Sequence, residues 1–394
     1  MKHRAPAFAL LAVLAGCKEP ERPPVAPTIA PAQPAPSPHS PPAGPAATVA
    51  VAPRPAPSLP SPKPTTIALA RTGDAQLDAT LAEADRAFEA GDLTKALEGY
   101  EAAKKASPRR AAPIVGVARV KVTKASPSLG FAAAEKSVDV IAASKDLKRA
   151  ADLEPTFGPA FVEHGRALLL LGDAVQAEAA LRKGTRLVPE EAEAHSALGV
   201  ALLAAGKAEE ALTELAKAKE LDPGSAARRG NLGTVLFMRG RVPEAIKEYE
   251  VQVQLAPDDP RAHSDLGTAL LAQSDFTRAM PELQRAIALD PKRATFHSNL
   301  GYALQLQGKV EGAIGEYREA IRLDPKLASA WINLATALAR DPKTRVEARQ
   351  ALRTAATLDP TDPRVKANVE ELDALERQGG GAPSPKSGGV PGSK

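Results

Sequence analysis

Along the middle of the chain, apolar residues fall in short helical stripes that stop and restart at regular places. The stretch from Ala192 to Ser225 shows one full cycle. Leu198, Leu202 and Leu203 form a stripe on a first helix. Gly206 ends that helix, because glycine accepts the left-handed conformation at a helix C-terminus. A second helix starts near Ala208 and presents Ala211, Leu212, Leu215 and Ala218. Asp222-Pro223 stops it, since proline disfavours helix in the residue before it. Gly199 and Ala211 are small, which lets the two helices approach closely. The cycle is a helical hairpin whose apolar stripe only stacked neighbours can bury.

The cycle repeats. Pro155, Pro189, Pro223, Pro257, Pro291 and Pro325 are each 34 apart. So are Gly165, Gly199, Gly233, Gly267 and Gly301, and Ala177, Ala211, Ala245, Ala279 and Ala313. Gly172, Gly206, Gly240 and Gly308 share the register, with Ser274 filling the gap. A fixed period of this length is the mark of a solenoid. The unit resembles the tetratricopeptide repeat, as one copy shows with Leu300, Gly301, Ala313, Tyr317, Ala320 and Pro325. The match covers Gly158 to Leu327 without gaps, and Trp331, Leu334, Ala335, Leu352, Ala355 and Pro360 make a further unit with one residue inserted near Asp341-Pro342. Upstream, Ala84, Ala96, Tyr100, Ala103 and Pro108 fit a more degenerate copy. From Pro108 to Pro155 the spacing is 47, so 13 extra residues fall around Ser126 to Ser137, between two helices. After Pro360, Val365, Val369, Leu372 and Leu375 share one helical face, as in the solvating helix that caps such arrays. The resemblance implies an all-α, right-handed tetratricopeptide-type α-solenoid of about eight hairpins over residues 74–378.

Composition changes the picture at the two ends. Lys2 and Arg4 precede a short apolar run, Ala7 to Ala15, too short for a membrane span. Leu14-Ala15-Gly16-Cys17 resembles the lipobox of bacterial lipoproteins, and Cys17 is the only cysteine of the chain. That resemblance implies a signal peptide at 1–16, a covalent lipid on Cys17 and a bacterial membrane anchor. Lys18 stands where the best-known inner-membrane retention signal has Asp, so the outer membrane facing the periplasm is favoured. From Pro20 to Pro64 there are 17 prolines, which cannot supply the donors a helix or sheet needs. Residues 17–73 are therefore expected to form an extended, disordered linker, and 379–394 a disordered tail.

The repeats exclude more chemistry than they offer. Aromatic residues are 3% of the chain, which argues against a large aromatic-lined catalytic pocket. One cysteine rules out a disulfide framework or cysteine-based zinc site. A net charge of +4 is small for a nucleic-acid binder. Gly199…Gly206-Lys207 and Gly301…Gly308-Lys309 have the wrong spacing for a phosphate loop and lack its Ser/Thr. His195, His263 and His297 share one place in the unit, too far apart to ligate one zinc, and read as packing residues at the place Trp331 takes later. No catalytic constellation, metal site or cofactor is expected beyond the lipid on Cys17, and the chain is read as no enzyme.

One polar series stands out. Asn231, Asp265, Asn299 and Asn333 are 34 apart, each just before the Leu-Gly or Leu-Ala pair. In the family the first helices line the concave side, where such Asn residues can pair with a peptide backbone through donor and acceptor together. The alternatives are that each Asn bonds its neighbouring turn or stands exposed. Glu163 and Ala197 hold this place in earlier units. Thr234, Phe237, Met238, Thr268, Tyr302, Ile332 and Thr336 face the same groove by transfer from the family pattern. The basic residues with which some family members grip a C-terminal carboxylate are absent, since Val162, Ser196, Gly230 and Ser264 stand there. The expected function is a membrane-anchored periplasmic scaffold or assembly factor for an envelope complex, of pilus, secretin or outer-membrane machinery type. It would bind an extended or helical segment of a protein partner in the concave groove. The alternative is a non-catalytic regulator of an envelope enzyme, such as a peptidoglycan synthase or a glycosyltransferase system.

Overall fold

The computed structural model describes residues 66–125 and 137–379. The expected signal peptide, Cys17, the proline-rich stretch up to 65, the inserted residues 126–136 and the tail from 380 lie outside the described residues. Among the described residues every regular element is an α-helix, seventeen in all. They fall into two compact units, divided after Arg241. The first unit holds α1 (Ala75–Glu89), α2 (Leu93–Ala106), α3 (Ala111–Ala125), α4 (Val138–Leu153), α5 (Gly158–Leu170), α6 (Ala174–Leu187), α7 (Ala192–Ala204), α8 (Ala208–Leu221) and α9 (Ala226–Met238). The second holds α10 (Val242–Leu255), α11 (Pro260–Ala272), α12 (Phe276–Leu289), α13 (Ala294–Leu306), α14 (Val310–Leu323), α15 (Ala328–Leu338), α16 (Arg345–Leu358) and α17 (Pro363–Gly379).

Six of the helix-to-helix turns pass through a residue with positive φ, and Gly206, at φ 77°, is representative. Ser274 takes the same turn at φ 60° without glycine's freedom, the one non-glycine among the described residues to do so. Aspartates then start several second helices; Asp92, Asp173 and Asp275 each accept a first-turn backbone N–H. The repeat glycines permit the close approach of the paired helices. A Cβ on Gly199 would lie 2.5 Å from Leu215 Cγ, and one on Gly301 2.7 Å from the Tyr317 ring. The apolar stripes expected from the period, Leu198, Leu202, Leu215 and Ala218 among them, are buried in the stack. On α17, Leu372 is fully buried and Val369 packs beside it, while Arg349 of α16 pairs with Asp373 and Glu376.

One boundary differs from expectation. The linker was expected to reach residue 73, yet Ile67 and Leu69 are 1% and 0% exposed. Leu69 belongs to the core cluster that includes Leu77, Leu81 and Tyr100. Two aliphatic side chains two residues apart in extended chain can both enter one surface, with Ala68 between them left exposed.

Candidate functional site

Within each unit, successive first helices pack directly on one another: α1, α3, α5, α7 and α9 in the first, α11, α13, α15 and α17 in the second. Successive second helices stand further apart. The first helices therefore line the inner face of each stack, and the polar series of the sequence lies there.

The Asn residues do something that neither expected alternative described. Asn299 Nδ2 donates to Ser264 Oγ at 3.0 Å, and Asn333 Nδ2 to Ser298 Oγ at 3.3 Å. In the first unit Asn231 Nδ2 donates to Ser196 Oγ at 3.3 Å. Each bond reaches back 35 residues to the preceding first helix, so the amides lace neighbouring hairpins together. Asn368 of α17 ends the series on Thr336 Oγ1 at 3.1 Å. Ser196 and Ser264, noted in the sequence only for lacking positive charge, are the acceptors that fix these amides.

Asp265 breaks the series. A carboxylate has no N–H to donate as the amides do. Its Oδ2 is buried and makes no hydrogen bond. Burial, then repulsion from Asp259, pushes the carboxyl up to about 7, with Arg261 pulling the other way.

The remaining groove residues divide. Thr234, Thr268 and Thr336 spend their hydroxyls on the carbonyls of Gly230, Ser264 and Ile332 in their own helices. Phe237, Met238 and Tyr302 are half-buried on their first helices. Ile332 is 2% exposed, so it packs inside the stack and offers a partner nothing.

The inner face of the first unit carries charges that the sequence reading missed. Asp85 Oδ1 lies 3.6 Å from Arg119 Nη1, and Arg119 Nη2 3.2 Å from Glu163 Oε1. Glu163 lies 3.6 Å from Arg166, Arg166 3.4 Å from Glu193, and Glu193 3.5 Å from Arg228, which also pairs with buried Asp222. The signs alternate across α1, α3, α5, α7 and α9. Burial alone would lower the Arg119 pKa, but Glu163, Tyr100 and Asp85 together raise it. The same network does not compensate Glu193 fully, and burial holds its carboxyl above the usual range. A signal was present, since Asp85 and Arg119 are 34 apart and Arg119 and Arg166 are 47 apart, the long spacing that contains the insertion.

The histidines pack as expected, and the structure gives the reason. His195, His263 and His297 each reach the carbonyl of the proline six residues earlier through Nε2, at 2.9, 2.9 and 3.1 Å. Trp331 Nε1 donates to Pro325 O at 2.9 Å in the same way. Through Nδ1 the three rings meet Glu214, Glu282 and Glu316 of the paired second helix. Burial would lower the His195 pKa, but the Glu214 and Pro189 hydrogen bonds outweigh it and raise it. Each ring clips a turn to a helix. Among the described residues no cluster of His, Cys, Asp and Glu is arranged to hold a metal, and no helix is long and apolar enough to cross a membrane.

Sequence models of the tetratricopeptide repeat match residues 162–226, 264–328 and 307–363, and a second such model matches 202–266, an unbroken run from 162 to 363. The chain belongs to the tetratricopeptide repeat family. Members of this family are in general non-catalytic scaffolds for protein interactions. No curated protein sequence matches this one significantly. Among solved structures this repeat protein is similar to the crystal structure of the APC/C hetero-tetramer Cut9–Hcn1. The identity is 18% and the TM-score 0.58, over 77% of this chain and 57% of that one. It also matches Pseudomonas aeruginosa pilF, at 22% identity and TM-score 0.46, over 54% of this chain and 97% of that one. A third match is YrrB, described as a TPR protein with an unusual peptide-binding site. There the identity is 23% and the TM-score 0.37, over 49% of this chain and 99% of that one. At these identities the likeness concerns the fold alone.

Proposed function

We propose that this tetratricopeptide repeat protein is a lipid-anchored scaffold or assembly factor for a complex of the bacterial envelope, tethered by Cys17 and the proline-rich stretch after it. The observation that carries the binding half is the inner face of each unit, where half-buried Phe237 and Met238, or Tyr302, share a first helix with a laced amide. Each Asn spends its nitrogen on a serine or threonine, which fixes the side chain and leaves its oxygen to accept an N–H from a partner segment. A preset acceptor costs a ligand less ordering than a mobile one. The anchoring half is supported by the lipobox-like Leu14-Ala15-Gly16-Cys17. Several acyl chains, at ~0.8 kcal/mol per buried CH₂, would hold the chain at a membrane.

Affinity purification from native membranes tests the first half. The wild-type chain should retain an envelope protein that the Phe237→Ala/Tyr302→Ala variant loses, and an identical partner list would overturn the groove assignment. Labelled palmitate tests the second: incorporation that persists in Cys17→Ala refutes the anchor.

A further inference from the structure

The first unit already contains an extended segment on its inner face, and it is the chain's own. Residues 66–70 form no helix, yet Ile67 and Leu69 are buried in the stack. The groove holds the main chain of this segment with side-chain charges. Asp85 Oδ2 accepts from Leu69 N at 2.7 Å and from Ala70 N at 3.3 Å. Arg119 Nη2 donates to Ile67 O at 2.8 Å. Asp85 itself is set by Tyr100, whose hydroxyl donates to Oδ1 at 2.6 Å. Arg119 lies over the Phe88 ring at 5.4 Å and is 3% exposed. Arg71 then pairs with Glu191, at the start of α7, at 2.6 Å.

This is how a groove holds a peptide ligand: main-chain groups fixed by polar side chains, alternate side chains in apolar pockets, the residue between them outward. Three further observations separate it from ordinary core. The first helix begins without the segment, because Asp74 caps α1 and Asp78 accepts from Thr72 N and Gly73 N. Gly73, at φ 80°, closes that anchored turn, which is held by α1 and not by the docked residues before it. The groove also continues past the segment. Thr66 borders a cavity whose walls include Phe88, Val122, Arg166 and Leu170 of α1, α3 and α5, with Arg119 in its lining. Arg119 Nε and Nη1 make no hydrogen bond there.

We propose that residues 66–71 are a ligand the chain holds in cis. The inner face of the first unit is a peptide site kept closed by this segment, and it opens to a partner segment that is extended and carries two aliphatic side chains two residues apart. The proposal rests on the inner faces being binding surfaces, and it adds the ligand's chemistry and the means of control. A segment joined to its site by a few residues has an effective concentration in the millimolar range, so a free peptide competes poorly until the segment is released.

The test uses the full chain and a fluorescein-labelled peptide with the sequence of residues 66–72, followed by anisotropy. Ile67→Glu/Leu69→Glu expels the segment by placing charges where aliphatic groups were buried. The expected result is at least tenfold tighter peptide binding by this variant than by the wild type, and none by a peptide carrying Glu at both aliphatic places. Equal affinity for variant and wild type, or no binding by a variant of unchanged helical circular dichroism, overturns the proposal. If the variant loses helix, hydrogen exchange on the unaltered chain decides. Exchange of the Leu69 and Ala70 amides while α1 and α3 stay protected supports a docked ligand. Exchange only together with those helices shows ordinary core and overturns it. The probe reads the first unit alone, so its failure would leave the envelope partner and its purification test untouched.

Discussion

At corresponding places on their first helices, the two units carry different polar chemistry. The first is laced mainly by alternating charges from Asp85 to Arg228, with a single amide bond at Asn231, the second by neutral amides on serine and threonine hydroxyls at Asn299, Asn333 and Asn368. The backbone architecture is the same, so the difference lies in what each pairing costs when it is broken. A buried ion pair deprived of one member leaves an uncompensated charge, whereas a lost neutral hydrogen bond leaves a modest debt of solvation. The charged face has also turned its surplus donors and acceptors onto an extended segment of main chain. The amide face has no such segment among the described residues.

The comparison predicts unequal sensitivities. Arg119→Met should cost the most, about 3–5 kcal/mol, because Asp85 and Glu163 stay buried without their cation. Urea unfolding followed by circular dichroism measures this, and a loss below about 1 kcal/mol would show that the charges are effectively solvated.

Asp265 is the place where the second unit departs from its own amide pattern. Its folded carboxyl titrates at about 7, above an ordinary value of 3.8, so folding favours the protonated form. Stability is therefore greatest at about pH 4 and below and falls as pH rises through 7. Asp265→Asn should match the wild type at about pH 4 and exceed it by on the order of 2–4 kcal/mol at pH 8. Parallel stability profiles for the two proteins would contradict this.

The smallest effect belongs to the intact amides. Asn299→Ala and Ser264→Ala should each cost about 1 kcal/mol, and the double variant less than their sum, since both remove one hydrogen bond. Strict additivity would show that the pair carries no coupling. A loss as large as that of Arg119→Met would erase the distinction between the faces.

Much of this was legible in the chain. The recurring Pro, Gly and Ala placed the hairpins, and Ala208 was read correctly as the start of a second helix. Trp331 and the histidines were recognised as equivalents because period and chemistry coincide. The charge ladder was not recognised, although Asp85 and Arg119 stand in register, because a change of sign at one place looks like an ordinary solvated face. Asn231 was read as facing a partner, bonding its neighbouring turn or standing exposed, because the acceptor on Ser196 lies 35 residues away and becomes a neighbour only through stacking. Ile67-Ala68-Leu69 was read as linker, since a short alternation next to a proline-rich stretch has no local partner.

The sequence by itself determined the repeat, the helix stops and the small residues where helices cross, because these depend on backbone preference and side-chain size within one hairpin. Only the tertiary structure decided which polar groups meet and that residues 66–71 fill the inner face of the first unit. Most of those contacts join positions 15 to 120 residues apart, whose proximity comes from packing one hairpin on the next.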